Sequence, residues 1–133
     1  MSANRKWLKI VSFVQFLVAV AVLILAGLAA AGVSDPGPDA SVAKIVLLWL
    51  DKVLFAILGF LSIADAVMGV HGANRPSALG SHRLVAILAM LVGIVSCPVS
   101  FDGQGVPVVP VIAAVVALIA AIFDTKVRKE LDK

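Results

Sequence analysis

Asp65 is the residue whose type and position most constrain the chemistry of this chain. It stands in Ile63-Ala64-Asp65-Ala66-Val67, inside an apolar run that ends at Val70. At a rise of about 1.5 Å per residue, the carboxyl group lies roughly 7–8 Å inside the end of that run. A carboxylate in hydrocarbon costs on the order of 1–3 kcal/mol unless it is protonated, hydrated or paired. Asp65 is therefore expected to face other helices, with Arg83 or His82 as its partner. Two chemistries fit a carboxylate so placed: a proton- or cation-binding site, or a polar clasp between helices. The clasp is favoured, because Asp65 is shallow and stands alone in its run.

The other reactive residue types support little chemistry. His71 and His82 bracket a polar loop, but a metal site needs three or four ligands with supporting groups. No Cys, Glu or further His is spaced to join them, so no metal is expected. Cys97 is the only cysteine and lies in an apolar stretch, where it reads as an inert packing residue. Ser12, Gln15, Ser96 and Ser100 add few polar side chains at membrane depth, fewer than a conducting pore would need. No catalytic constellation or cofactor motif is present. An enzyme ranks last among the functions considered.

The elements that must position Asp65 are four apolar stretches, at residues 10–33, 45–70, 84–101 and 106–123. The chain of 133 residues is 62% hydrophobic and 14% charged, whereas soluble domains carry about 25% charged residues. These features predict an all-α integral membrane protein. Its single domain has four transmembrane helices in an up-down bundle of two hairpins. The helices are expected at about 8–33, 43–71, 82–100 and 107–124, with a charged tail over 125–133. Ser41 is a candidate N-cap for the second helix and Ser81 for the third. Pro98 should end or kink the third helix in its last turn, and Pro107 and Pro110 suit the opening turn of the fourth. The tail reads as a solvated continuation of that helix, with Asp124, Arg128 and Asp132 four residues apart.

Charge sets the orientation. Arg5, Lys6, Lys9, Arg75, Arg83, Lys126, Arg128, Lys129 and Lys133 fall on one side of the four stretches, and Lys44 and Lys52 on the other. The positive-inside rule then places both termini and the central loop in the cytoplasm, with Trp7 as an interfacial anchor. Asp35, Asp39 and Asp102 fall outside. The net charge of +3 resides at helix ends, without the interleaved aromatics of a nucleic-acid groove, so no nucleic-acid partner is expected. A cleaved signal peptide is the competing reading of the first stretch. Its apolar run exceeds the roughly 7–15 residues of a signal core, which favours a retained anchor.

Small residues recur at helical spacing and are the expected packing faces. They pair Gly27 with Ala31, Ser62 with Ala66, and Ala89 with Gly93, and they align Ala113 with Ala117 and Ala121. The expected function is that of a non-enzymatic cell-membrane protein, an interaction or accessory subunit in contact with the lipid bilayer. Its protein partner would be a second copy or another membrane-protein subunit. The alternative is a small oligomeric transporter, channel or holin-like pore that uses Asp65 for coupling.

The topology has a direct test. Asp39→Cys and Gly103→Cys should be labelled from outside the cell, and labelling only from the cytoplasmic side overturns the assignment. An intact mass starting near Gly32 would restore the signal-peptide reading and leave three spans.

Overall fold

The computed structural model describes residues 2–32, 37–39, 41–100 and 108–131. The expectations for Asp35, Asp102, Pro107, Asp132 and Lys133 fall outside these residues. The described chain is helical, with α1 at Ala3–Ala31, α2 at Val42–Asn74, α3 at His82–Ser100 and α4 at Val108–Leu131. A short 3-10 turn, Pro76–Ala78, joins α2 to α3. Three helices are long and apolar enough to cross a membrane: Ala3–Ala31, Val42–Asn74 and Val109–Glu130. The apolar part of α3, His82–Cys97, is shorter.

Local signals explain the helix ends. The Ser2 hydroxyl accepts from Arg5 N at 3.2 Å, so α1 starts at Ala3 rather than near residue 8. Ser41 caps α2 in the same way, accepting from Lys44 N at 3.2 Å. Ser81 precedes α3, and its carbonyl accepts from Val85 N at 3.0 Å. Gly80 adopts a positive φ of 51°, which turns the chain into α3 at little steric cost. α3 runs past Pro98 to Ser100, and the proline removes one amide donor from its final turn. α4 continues unbroken to Leu131, as the expected helical continuation of the fourth stretch, but its residues past 123 are not all solvated. Asp124 and Val127 are buried in register with Ala113, Ala117 and Ala120, and that packing carries the helix onward.

Each helix lies antiparallel to its neighbours in the ring α1–α2–α3–α4, with a weaker diagonal contact between α2 and α4. The inward positions repeat about every three and a half residues, as in left-handed helix bundles. On α1 they are Leu8, Ser12, Gln15, Ala19, Val22 and Ala26. On α3 they are His82, Ala86, Ala89, Gly93 and Ser96. Small and polar residues thus line the interior, while Phe13, Leu17, Leu28, Leu47 and Phe60 are exposed. Gly93 shows the reason for the small side chains. A Cβ there would lie 3.0 Å from Ala114 Cβ and 3.1 Å from the Pro110 carbonyl.

Of the expected packing residues, Ser62, Ala66, Ala89, Gly93, Ala113 and Ala117 face inward and Ala121 is half-buried. Gly27 and Ala31 differ. Both are exposed, and a Cβ on Gly27 would meet nothing within 4 Å. The inward stripe of α1 passes through Ala26, and one residue further along a helix turns a side chain by about 100°.

Two apolar layers bracket the polar centre of the bundle. Val22, Leu58 and Ala113 form one, flanked by Val18, Phe55, Val92 and Val109. Leu8, Ala73, Leu79 and Val127 form the other, near the end that gathers the α1 N-terminus and the α4 C-terminus. There Trp7 stacks on Phe123 with centroids 6.3 Å apart, and Lys126 Nζ lies 5.2 Å from the Phe123 ring centroid. Ala117 is fully buried between helices. Ala117→Leu should therefore destabilise the detergent-solubilised fold by about 1–3 kcal/mol through overpacking, whereas Gly27→Leu should not. Equal effects of the two substitutions in a denaturation series would refute this packing.

Candidate functional site

Each of the four helices contributes at least one polar side chain to a single buried cluster. α1 supplies Ser12 and Gln15, α2 supplies Ser62 and Asp65, α3 supplies His82 and α4 supplies Asp124. All six are 0–1% exposed. The spacing does this simply. Ser12 with Gln15, and Ser62 with Asp65, stand three residues apart on one helical face. Antiparallel packing sets the two faces against each other.

The geometry runs as a chain across the bundle. Gln15 Nε2 donates to Asp65 Oδ2 at 2.6 Å, joining α1 to α2. Asp65 Oδ1 lies 3.0 Å from His82 Nε2, joining α2 to α3. His82 Nδ1 is hydrogen-bonded to Asp124 Oδ2 at 2.5 Å, joining α3 to α4. Arg128 Nε donates to Asp124 Oδ1 from one turn further along α4. Arg128 then reaches out of the cluster, donating through Nη2 to the Gly80 carbonyl at 2.6 Å. An imidazole with a carboxylate at each ring nitrogen can donate to both only when doubly protonated. In that form the two carboxylates, the imidazolium and the guanidinium sum to zero charge.

The cluster is not fully satisfied. Asp65 Oδ1 and His82 Nε2 are close but out of line for a hydrogen bond, and neither has another protein partner. Ser12 Oγ, Gln15 Oε1 and Ser62 Oγ are likewise buried without a partner. Gly69 lets α1 and α3 converge here. A Cβ on it would run into Ser12 Oγ and lie 3.0 Å from His82 Nε2.

The expected site was Asp65, His82 and Arg83. Asp65 and His82 are brought together, but Arg83 is exposed and outside the cluster. Arg83 follows the inward-facing His82 by one position, which turns it to the outer side of α3. The guanidinium in the cluster comes instead from Arg128. Asp124, read from the sequence as part of a solvated tail, is fully buried. Its signal was the continuation of the Ala113–Ala117–Ala120 register. Gln15 and Ser12 carry their signal in the same periodicity with Leu8, Ala19 and Val22.

Other polar groups stay away from the cluster. His71 is exposed. Ser96 Oγ donates to Val92 O at 2.7 Å and Cys97 Sγ to Gly93 O at 3.3 Å, each within its own helix. Among the described residues no group of three His, Cys, Asp or Glu side chains is arranged to hold a metal ion. Ser12, His82 and Asp124 share residue types with a hydrolytic triad. However, Ser12 Oγ makes no hydrogen bond and all three residues are at 0% exposure, so nucleophilic attack on an external substrate has no support.

The cluster generates a test of its structural weight. Asp65→Asn retains an acceptor for Gln15 and should keep most of the fold. Asp65→Leu strands Gln15 and His82 and should cost on the order of 3–5 kcal/mol, the range for breaking a buried pair. Unfolding curves in detergent that do not separate the two variants would refute the clasp.

No protein-family model, curated protein or solved structure matches this chain.

Proposed function

We propose that this chain is a multi-pass protein of the cell membrane, non-enzymatic, that works as an interaction or accessory subunit within a membrane complex. One observation carries the reading: polarity is turned inward and apolar surface outward. Asp65, His82 and Asp124 are buried and linked to one another, while Phe13, Leu17, Ile24, Leu28, Leu47 and Phe60 stand exposed. Such an exterior suits hydrocarbon and other apolar helices. It would be unstable in water, where exposed apolar patches of this extent drive association.

Both termini and the α2–α3 connection lie in the cytoplasm in this reading. Antiparallel packing collects Arg5, Lys6, Lys9, Arg75, Arg83, Lys126, Arg128 and Lys129 near one end of the bundle, which supports that orientation. The contact surface for another subunit is the outward strip of Gly27 and Ala31 on α1. Small residues there leave room for the backbone of a second helix, the packing mode that operates without a hydrophobic drive. A second copy of this chain or a different membrane protein would satisfy it.

Site-directed crosslinking in native membranes tests the reading. Gly27→Cys should yield a crosslinked product whose mass identifies the neighbour, and Phe60→Cys on another exposed face should not. A Gly27→Cys protein that crosslinks no better than the Phe60→Cys control would overturn the interaction role.

A further inference from the structure

We propose that the contact between Asp65 and His82 is a proton-binding site inside the bundle, open to exchange beside Arg128. The site goes beyond the interaction role and does not depend on it.

The geometry points there in three steps. First, His82 Nδ1 meets Asp124 Oδ2 at 2.5 Å, and Asp124 also accepts from Arg128. One ring nitrogen is thereby committed to α4. Second, Nε2 faces Asp65 Oδ1 at 3.0 Å, yet neither atom has a hydrogen bond. A neutral ring that donates through Nδ1 presents a lone pair to a carboxylate oxygen. A proton added at Nε2 replaces that opposition with attraction between a ring cation and a carboxylate oxygen 3.0 Å away, breaks no other bond and moves no electrons between groups. Third, the surroundings hold unused hydrogen-bonding capacity. Ser12 Oγ, Ser62 Oγ and Gln15 Oε1 are buried without partners, and Ser12 Oγ and His82 Nε2 converge on Gly69.

Among the described residues, the charged groups around the site come from three helices. α1 contributes only the neutral Ser12 and Gln15, α2 contributes Asp65, α3 contributes His82, and α4 contributes Asp124 and Arg128. Without the added proton these groups sum to one negative charge, and with it to zero. Apolar layers lie on both sides of the site: Leu8, Ala73, Leu79 and Val127 towards the basic end, and Val22, Leu58 and Ala113 towards the other. The first is bypassed by a polar route, because Arg128 is 32% exposed and links buried Asp124 to the Gly80 carbonyl. Exchange of the proton is therefore assigned to the end that carries the basic residues.

Nitrogen-15 NMR of the ring nitrogens tests this, using protein in lipid nanodiscs with His71→Gln so that His82 is the only imidazole. His82 should change protonation form once between about pH 4 and 10, the range that spans carboxylate and imidazole titration. In Asp65→Asn the midpoint should be displaced by about 1–3 units, the effect of removing a charge within 4–6 Å. Asp124→Asn provides a second displaced series if Asp65→Asn does not fold. A His82 spectrum constant across the whole range in the parent overturns the proposal. So does a folded Asp65→Asn protein with the parent midpoint.

Discussion

The requirement that governs this structure is that ionised groups buried among helices must be compensated by other helices. Asp65 cannot be desolvated alone, because an isolated carboxylate in a low-dielectric interior is too costly. Its compensation is distributed: Gln15 from α1, His82 from α3, and through His82 the Asp124–Arg128 pair of α4. The cluster therefore fixes the register of all four helices at once. A sliding of any helix by one residue would turn its polar group about 100° away and leave the others unpaired. Ion pairs of this kind are weak sources of net stability, but they discriminate strongly between correct and incorrect registers.

That constraint explains the inverted distribution of side-chain size. To bring carboxylates, an imidazole and an amide within hydrogen-bond distance across a bundle, the helix backbones must approach closely. Ala, Gly and Ser at the inward positions permit this, as Gly69 does beside Ser12 and His82 and Gly93 does beside Ala114. Most large aliphatic and aromatic side chains lie on the exterior, while Leu8, Leu58 and Leu79 fill the apolar layers on either side of the cluster. The same composition would be a fault in a water-soluble domain, and it is the normal solution where the surrounding medium is apolar.

The basic residues at the cluster end have a second use. The last carbonyls of α2 lack intrahelical donors. Arg5 Nε and Nη2 donate to Ala73 O at 2.8 Å and Asn74 O at 2.7 Å, while Lys9 Nζ meets Asn74 Oδ1 at 3.2 Å. Glu130 accepts from Ser2 and Asn4 at 2.7 Å, tying the start of α1 to the end of α4. Charges that read in one dimension as an orientation signal thus also satisfy helix ends. This is why α1 and α4 extend beyond their apolar segments.

The amino-acid sequence determined the helices and their number, because long apolar runs and the Ser41 cap are local signals. It also singled out Asp65, since a carboxylate inside such a run is conspicuous whatever the fold, and it offered His82 as a partner. The choice of guanidinium was tertiary. Arg83 and Arg128 are equally available by composition, and only the rotation of α3 and the continuation of α4 turn one outward and the other toward Asp124. The tertiary structure likewise decided that α1 packs through Ala19, Val22 and Ala26 rather than through Gly27 and Ala31. Both faces of α1 carry small residues, so helix periodicity alone cannot rank them. The polar pair Ser12 and Gln15 lies on the first face, and pairing that face with Asp65 sets the rotation of the whole helix.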